Sequence, residues 1–452
     1  MTAKRTRREF VKQAAMAGAV LPSIVGKAWG ATPGKLRHAA IGVGRRGLID
    51  LRSLDTHPDV EIVALCDVDQ RYLAQAAQRH PRARLYRDWR VLLEEEADRI
   101  DSVNITIPNH MHAPVAMTAL RMGKHVYCQK PLTHSIYEAR RLTEEAAQRP
   151  ELVTQMGVQT HSVPAYRTAV AMVQFGVIGK IKEVHSWDRI RDYYTGAFTD
   201  PPMERRPDRA DPVPAYLDWD LWLGVAPERP YVDELYHTQM WRRWHDFGGG
   251  AHGDMAGHMM DGVFAALELG SPQWLISYHS PPFEELFSPN NKVLYRFPGT
   301  EFTDGDIDYY WYDTGPIDTS GWPIDEHELA GNGSLLVGQN GFLYLPHIGQ
   351  AQAYPEAASA AVEEFYKEVG PREGVSHYYQ FVDACLGRGT TGTPFSYSGP
   401  LTESVLMGTV VNRFPEEKLI WDAEALEFTN QPAANAYLRR DYRDGWQVEG
   451  LG

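Results

Sequence analysis

Residues 36–67 read LRHAAIGVGRRGLIDLRSLDTHPDVEIVALCD. In this stretch an apolar run leads into Gly42-Val43-Gly44-Arg45-Arg46-Gly47, a helical segment follows, and a second apolar run ends at Asp67. A dinucleotide-binding turn needs its three glycines because the chain must turn tightly, let a pyrophosphate approach the backbone and pack the helix closely on the strand. The free N–H groups and the dipole of the helix N-terminus favour an anion at the same place. The stretch therefore predicts a strand, a turn, a helix and a second strand that bind a dinucleotide.

The acidic residue that closes the second strand indicates which dinucleotide is bound. Asp67 follows Gly47 by twenty residues, where its carboxylate can accept hydrogen bonds from the hydroxyls of an adenosine ribose. The same carboxylate repels a 2′-phosphate, so NAD is expected rather than NADP. Arg45, Arg46 and Arg71 lie close enough in sequence to weaken that preference.

Strands and helices alternate as far as about residue 158, which predicts a parallel, doubly wound sheet. Beyond that point longer apolar alternations are typical of antiparallel strands. Candidate strands lie at 181–190, 273–279, 292–297, 334–337 and 342–345, and candidate helices at 254–269 and 375–386. The predicted fold is α/β plus α+β. It has a Rossmann domain at 35–158 and, at 159–452, a C-terminal α/β domain for substrate and oligomer contacts, built on an open, mostly antiparallel sheet.

The first 31 residues differ from the rest of the chain. Thr6-Arg7-Arg8-Glu9-Phe10-Val11-Lys12 precedes a mostly apolar run at 14–25, and the small residues Ala28 and Gly30 follow at a spacing compatible with signal cleavage. The order of these residues resembles a twin-arginine export signal. Residues 1–31 are therefore predicted to direct export to a periplasmic or other extracytoplasmic space, with a basic disordered arm as the alternative.

Composition excludes several classes of partner. The chain has 452 residues, of which 43% are hydrophobic and 23% charged, as in ordinary globular proteins. A formal net charge of −14 argues against binding to nucleic acid or anionic lipid. The apolar run at 14–25 is too short for a membrane span. Cys66, Cys128 and Cys385 are odd in number and widely spaced, which gives neither a disulfide framework nor a metal motif.

Two stretches carry candidate catalytic groups. Lys130 follows an apolar run at a predicted sheet edge, where ligands of such sheets bind. Asp254, His258 and Asp261 share one face of the predicted helix at 254–269. Removing a hydride from an alcohol carbon requires that the hydroxyl proton leave as well. We expect His258 to take that proton, Asp254 to orient it, and Lys130, with a pKa lowered by desolvation, to stabilise the developing oxygen charge.

A metal site is the alternative interpretation of the aspartates and histidine on the predicted helix at 254–269, but the sequence does not predict one. His245 and His252 add to the density of possible ligands around Asp254, His258 and Asp261. The paired histidines with an intervening glutamate that mark zinc hydrolases are absent from this stretch. Residues 304–308, Asp-Gly-Asp-Ile-Asp, resemble the start of a calcium loop but lack its later glycine and glutamate, so a solvated acidic loop is expected there.

Taken together, these motifs resemble those of the glucose-fructose oxidoreductase, inositol dehydrogenase and MocA (Gfo/Idh/MocA) family, over nearly all of the chain after the signal. In that family a Glu-Lys-Pro strand end and a helix with Asp and His four apart supply the catalytic set, which Gln129-Lys130-Pro131, Asp254 and His258 match. The departure is Gln129 in place of glutamate. The residues expected to bind the cofactor are Gly42, Gly44, Arg45, Arg46, Gly47, Asp67, Thr106, Pro108, Asn109, His112, Gln129, Lys130 and Gln159.

Substrate contacts are expected near the cleft and on an aromatic strand. The candidates are His161, Tyr166, Trp187, Arg189, Tyr193, Trp241 and Asp261. The resemblance implies an NAD(P)-dependent oxidoreductase that moves a hydride between a tightly bound cofactor and a secondary hydroxyl of a sugar, glycoside or polyol, and a homo-oligomer formed through the C-terminal sheet. An NAD-dependent glycoside hydrolase that works by transient oxidation, elimination, water addition and re-reduction is the alternative enzyme. A sugar-binding protein without activity is the third reading, which the intact Lys130, Asp254 and His258 disfavour.

Overall fold

The structure is a computed structural model that describes residues 34–189, 203–278, 281–288, 290–313, 317–354 and 359–452. Two sheets organise these residues, one of six strands and one of nine. The predicted fold class is confirmed, since the first sheet is parallel and the second is mostly antiparallel. The predicted export signal at 1–31 lies outside the described residues.

The six-stranded sheet has the strand order β3-β2-β1-β4-β5-β6, all parallel. Its strands other than the edge strand β3 are largely buried, so they consist mainly of apolar runs rather than alternating patterns. The order reverses between β1 and β4, which is where ligands of such sheets bind. The strands are β1 (Leu36–Ile41), β2 (Val60–Cys66), β3 (Arg84–Tyr86), β4 (Ser102–Ile105), β5 (His125–Gln129) and β6 (Thr154–Gly157).

The helices between these strands begin at capping residues that the sequence supplies. Asp69, Asp88 and Ser135 each accept a hydrogen bond from a backbone N–H in the first turn of the following helix. Glu138 completes a capping box with Ser135. The helices are α1 (Arg46–Asp55), α2 (Gln70–Ala77), α3 (Trp89–Glu95), α4 (His112–Arg121) and α5 (Ile136–Ala147).

The nine-stranded sheet has the order β13-β12-β11-β7-β10-β9-β8-β14-β15. The dipeptide Asn340-Gly341, a common hairpin turn sequence, joins β11 to β12 in an antiparallel hairpin. The acidic stretch at 304–308 is not a loop, because it forms the first half of β10, where Asp308 pairs with Arg296 of the neighbouring strand. The strands are β7 (Ile181–Asp188), β8 (Trp274–Ser277), β9 (Asn291–Phe297), β10 (Thr303–Asp313), β11 (Asn332–Gly338), β12 (Phe342–Pro346), β13 (Gln352–Tyr354), β14 (Lys418–Asp422) and β15 (Glu427–Phe428).

Helices from the second half pack both on this sheet and on the first domain. The remaining helices are α6 (Pro164–Phe175), α7 (Trp219–Leu223), α8 (Gly250–Leu267), α9 (Ser359–Glu368), α10 (His377–Cys385) and α11 (Phe395–Val411). Helix α8, almost wholly buried, packs against α6 and α11 and against strands of the large sheet. Helix α10 returns to α1, and α11 to α5. The C-terminal part of the chain therefore completes the surface of the nucleotide domain.

Residues 203–247, here called the cap segment, contain an aromatic cluster of their own. Trp222, Tyr236, Trp244 and Phe247 are buried against one another in this cluster. Backbone hydrogen bonds join the cap segment to the first domain, among them one from Gln70 N to the carbonyl of Tyr216. The cap segment therefore covers the edge of the nucleotide domain at the end of β2. Among the described residues, no helix has the length and apolar character that crossing a membrane requires.

Candidate active site

One cleft runs from the ends of β1, β4 and β5 to the N-terminal half of α8. It collects most of the residues that the sequence predicts for cofactor binding and catalysis. Gly47 is the one predicted cofactor residue that is not part of the lining. The predicted residues that line the cleft are Gly42, Gly44, Arg45, Arg46, Asp67, Thr106, Pro108, Asn109, His112, Gln129, Lys130, Gln159, Trp241, Asp254 and His258.

The glycine turn has no room for side chains. Gly42 has a φ of +85°, and a Cβ there would lie 2.1 Å from the carbonyl oxygen of Thr106. A Cβ on Gly47 would lie 2.1 Å from the carbonyl oxygen of Gly42, so helix α1 packs directly on the turn. This is the tight, backbone-lined cradle that a pyrophosphate needs, with Arg45 and Arg46 beside it in the lining. The residues present therefore fit a dinucleotide.

Asp67 lies at the end of β2 and faces the glycine turn. Its carboxylate accepts hydrogen bonds from the backbone N–H groups of Val43, Gly44 and Asp69 at 2.9 to 3.2 Å. Burial raises the pKa of Asp67 to about 6 despite these donors. The carboxylate thus orders the turn as well as standing where a ribose is expected.

Gln129 is held by a buried carboxylate that the sequence did not lead us to expect. Asp50, on α1, accepts hydrogen bonds from Gln129 Nε2 at 2.8 Å and from the hydroxyls of Thr106 and Tyr378 at 2.9 and 2.7 Å. Arg46 Nε lies 3.0 Å from Asp50. Burial raises the pKa of Asp50. A glutamate at position 129 would press a second carboxylate against this one, which explains the amide found here.

Lys130 makes its contacts with Asp254 across the cleft. Its Nζ donates to the backbone carbonyl of Asp254 at 2.6 Å and to the carboxylate at 2.9 Å. Arg242 Nε donates to the same carboxylate oxygen at 3.3 Å. Burial lowers the pKa of Lys130, as expected. Burial would raise the pKa of Asp254, but Lys130 and Arg242 bring it below its ordinary value, so the carboxylate stays ionised.

His258 is placed in the cleft without the partner predicted for it. Its Nδ1 is buried and has no hydrogen-bond partner among the described residues, so Asp254, which bonds Lys130 and Arg242, does not orient the ring by a hydrogen bond. The ring instead packs against His347, with centroids 5.3 Å apart. Burial, together with Lys130 and His347, lowers the pKa of His258 well below 6.5. The imidazole is therefore neutral near pH 7 and able to accept a proton.

His112 ties two strand ends of the cleft together. Its ring nitrogens lie 2.8 Å from the carbonyl oxygens of Pro131 and Ile107, which follow β5 and β4 respectively. Burial lowers the pKa of His112 to about 4. His112 lines the cleft, and these contacts fix the backbone on which Lys130 is mounted.

The remaining predicted substrate residues fall into three groups. His161 and Asp261 bond to each other at 2.9 Å, and Tyr166 packs beside α8, but all three lie behind the cleft lining. Trp187 and Arg189 are not brought to the cleft, because Trp187 is buried on the far face of the large sheet with Tyr344 and Arg189 pairs with Glu326. Tyr193 lies outside the described residues.

Several lining residues were missed by sequence reasoning. Tyr72 lies in helix α2, and the others lie in turns or in the cap segment, where no periodic pattern marks them. Only the folded chain brings these residues to the cleft. They are Tyr72, Arg87, His237, Thr238, Gln239, Arg242 and His347. The one available signal was the cluster Met240-Trp241-Arg242-Arg243-Trp244, which precedes the glycine run before α8.

Family models match both halves of the chain. Residues 36–156 match the Gfo/Idh/MocA model described as "Oxidoreductase family, NAD-binding Rossmann fold". Residues 204–272 match the model described as "Oxidoreductase family, C-terminal alpha/beta domain".

The similar proteins include one named as a glycosyl hydrolase and others named as dehydrogenases. A "Glycosyl hydrolase family 109 protein" of Stenotrophomonas maltophilia is 39% identical over 136 residues, which cover 27% of this chain and 29% of that protein. An "Inositol 2-dehydrogenase" of Salmonella paratyphi B is 30% identical over 152 residues, which cover 33% of this chain and 45% of that protein. The chain thus spans less than half the length of these two curated relatives. The crystal structure of the WlbA dehydrogenase from Bordetella pertussis, solved with NADH and UDP-GlcNAcA, has a TM-score of 0.59 at 14% identity and covers 86% of this chain and 99% of that one.

The protein has a parallel sheet with a glycine cradle that faces a mostly antiparallel sheet across a cleft, and residues 36–156 match a model of NAD-binding oxidoreductases. Its cofactor is NAD, in agreement with the family model and with the cradle. Residues 36–156 and 204–272 are thus similar to the two domains of the Gfo/Idh/MocA oxidoreductase family.

Proposed function

We propose that the protein transfers a hydride between a tightly bound NAD and a secondary hydroxyl of a sugar, glycoside or polyol. The observation that carries this proposal is that Lys130, from the end of β5, and His258, from α8, line the same cleft as the glycine turn. An ammonium and a neutral imidazole that meet beside a dinucleotide cradle are what oxidation of an alcohol requires.

Each side chain has a role that its contacts support. When bound, the nicotinamide ring accepts or returns the hydride. His258, neutral near pH 7, accepts the proton of the substrate hydroxyl. Lys130 donates a hydrogen bond to the oxygen as negative charge develops there. Asp254 positions Lys130 through its carboxylate and its backbone carbonyl. Proton acceptance by His258 and stabilisation of the oxygen by Lys130 thus come from different domains.

The pH dependence of kcat/KM is expected to have two limbs. Because the pKa of His258 lies well below 6.5, protonation should remove the base only in acid, so the acid limb has its midpoint below pH 6.5. Because the pKa of Lys130 is lowered from 10.5, loss of the ammonium should end activity with a midpoint below pH 10.5. Initial rates of keto-sugar formation with an added electron acceptor measure both limbs. In a His258→Gln variant kcat/KM should be about 10²- to 10⁴-fold lower and the acid limb should be absent. An unchanged acid limb would contradict the assignment of His258 as the base.

The cap segment supports a cofactor that stays bound. Tyr216 and Asp218 form backbone hydrogen bonds to Gln70 and Val68, just beyond β2. His237 lies 3.0 Å from Asp69, and both His237 and Thr238 line the cleft. These contacts enclose the nucleotide end between two parts of the chain. A retained cofactor has to be returned to its starting state on the protein, so the proposal includes a second substrate that takes up the electrons.

Export through a twin-arginine route is also proposed, on the sequence of residues 1–31 alone. Such a route carries folded proteins, which agrees with a cofactor loaded before export. Replacing Arg7 and Arg8 by lysine should leave the protein in the cytoplasm, as measured by fractionation of cells. An unchanged distribution would reject the signal.

We propose in addition that the protein is a homo-oligomer formed through the open face of the large sheet. Aromatic side chains occupy this face, including Tyr310, Trp322 and the partly exposed Tyr278. Exposed apolar surface of this kind often marks an interface. Light scattering of the purified protein should give a multiple of the mass of one chain, which is 51.0 kDa when residues 1–31 are retained, and a mass equal to one chain would reject the proposal.

A second candidate is an NAD-dependent glycoside hydrolase. It is favoured by the 39% identity to the glycosyl hydrolase family 109 protein, an alignment that falls short of a third of either chain. In this reaction transient oxidation acidifies a neighbouring C–H, the aglycone leaves, water adds and the hydride returns. This reaction needs an extra base, and His161 does not reach the cleft to act as one, because it bonds Asp261 behind the cleft lining.

Incubation with a panel of glycosides separates the candidates. Keto-sugar formed in proportion to an added acceptor supports oxidoreduction. Free aglycone without net redox change supports hydrolysis. If neither product forms from any glycoside or polyol, both enzymatic proposals are wrong.

A further inference from the structure

Arg243 is a buried cation at the end of the short 3₁₀ helix Met240–Arg243 in the cap segment. The residue is only 6% exposed, and its Nε is completely buried. Among the described residues, its guanidinium has neither a hydrogen-bond acceptor nor a carboxylate within ion-pair distance. Burial lowers the pKa of Arg243, but a guanidinium stays charged near pH 7. Arg243 therefore carries a positive charge without a counter-charge in a nearly dry place.

Two acidic residues whose backbone lies close to Arg243 are bonded to other arginines. Asp246, three residues further along the chain, forms an ion pair with Arg229. Glu285 belongs to the segment that pairs with residues 243–245 through backbone hydrogen bonds. Its carboxylate lies 3.3 Å from Nε of Arg206 and also accepts a hydrogen bond from the backbone N–H of Arg206. Neither carboxylate therefore neutralises Arg243.

The aromatic face of Trp244 does not replace a counter-charge. The Cζ of Arg243 lies 5.8 Å from the ring centroid of Trp244, near the outer limit of a cation–π contact. Such a contact attracts a cation but accepts none of the in-plane hydrogen bonds that a guanidinium donates. Because a buried cation without a counter-charge is costly, an anion from outside the chain would be stabilised beside Arg243.

We infer that Arg243 binds a small oxyanion, a phosphate or a carboxylate group, in a site behind the wall of the cleft. The planar fork of a guanidinium matches two oxygens of such a group. Trp241 and Arg242, from the same 3₁₀ helix, line the cleft, whereas Arg243 does not. The oxyanion site is therefore separate from the cofactor and substrate cleft, and the ion that fills it holds one wall of that cleft in place. The inference does not depend on the proposed function.

Calorimetric titration of the NAD-loaded protein tests the inference, because NAD occupies the glycine cradle, where phosphate would otherwise bind. Phosphate and acetate are titrated separately at constant ionic strength, and their Kd values show whether an inorganic ion or a carboxylate is preferred. The wild type should bind one equivalent, and its Tm should rise by about 2 to 5 °C at a hundredfold excess over Kd. Arg243→Gln should weaken binding about ten- to a hundredfold. Arg243→Lys should retain part of the affinity.

A variant without the charge provides a second measurement. In chloride buffer free of oxyanions, Arg243→Met should raise Tm by about 2 to 4 °C, because it removes an uncompensated charge and keeps an apolar side chain. Added phosphate should then raise the Tm of the wild type but not that of Arg243→Met. A lower Tm for Arg243→Met in the chloride buffer would mean that the guanidinium is already stabilised within the protein, which contradicts the inference.

The control is Arg205→Gln, at an arginine of the cap segment whose side chain is 63% exposed. This variant should leave the Kd of both anions unchanged. Equal Kd values in the wild type and Arg243→Gln, or no binding of either oxyanion by the wild type, would overturn the inference. Turnover of glycosides is not measured in this experiment, so either result leaves the proposed function standing.

Discussion

Lys130→Met is expected to lower kcat for hydroxyl oxidation about 10²- to 10³-fold, the usual effect of removing one donor to a developing oxyanion. Binding of NAD should change little, because the cradle of Gly42, Gly44 and Gly47 is formed by backbone. Asp254 keeps one cation, Arg242, so the methionine does not leave its carboxylate without a counter-charge. Keto-sugar formation gives kcat, and quenching of protein fluorescence by added NAD, or the content of copurified NAD, gives binding.

Two further variants make this expectation specific to the ammonium of Lys130. Lys180→Met removes an exposed lysine that bonds the carbonyl of Glu301 far from the cleft, and it should keep full activity. Lys130→Arg keeps the charge but not the compact ammonium, and it should recover little. Full turnover by Lys130→Met, with NAD bound, would show that another group stabilises the substrate oxygen.

The elements that carry the cofactor could be predicted because their causes are local. A Cβ would collide with backbone at Gly42 and Gly47 and with the ring of Tyr72 at Gly44, and the glycines that these positions need are visible in the sequence. The apolar runs of β1, before the turn, and of β2, after helix α1, form largely buried strands. Helix α8 was also predictable from its spacing of Met255, Met259 and Val263, although it begins at Gly250, four residues before the predicted start.

The elements that were missed have signals that tertiary structure overrides. Pro400 and Gly399 both disfavour a helix, yet α11 runs through them because it is buried between α5 and α8. Asp304 and Asp306 resemble a loop, yet they begin β10, whose later residues Tyr309 and Trp311 anchor it in the core. The sequence also does not show which face of β7 packs against α8. Alternation places Trp187 and Arg189 on the same face, and in the structure that face points away from the cleft.

The site shows the same division between local and distant causes. Lys130 and His258 could be named from their motifs, since each lies at the end or start of a predictable element. Arg242 and Asp50 could not, because their importance comes from partners that are distant in sequence: Arg242 reaches Asp254, and Asp50 reaches Gln129. A residue that looks like a departure from the family pattern thus gains its explanation only from a side chain 79 positions away.

Gln129→Glu is expected to destabilise the protein by about 3 to 5 kcal/mol, because it brings a second buried carboxylate within 2.8 Å of Asp50 in place of a donor. Asp50→Asn should also be destabilising, since Arg46 then loses its ion pair. The double variant restores one carboxylate and one amide in reversed order, so it should be more stable than the sum of the two changes predicts, with a coupling energy of about 1 to 3 kcal/mol. Urea unfolding of the four proteins measures the cycle.

The control for this cycle is Gln75→Glu, the same substitution at an exposed glutamine of helix α2, which should change stability by no more than about 0.5 kcal/mol. NAD content should follow stability, because Arg46 lines the cleft and is held by Asp50 and Tyr378. Additive effects of the two substitutions would mean that Asp50 and Gln129 act independently. Rescue in the double variant would instead establish that the negative charge which glutamate supplies in the family pattern is carried here by Asp50, one helix away, and that Gln129 is the amide this carboxylate requires.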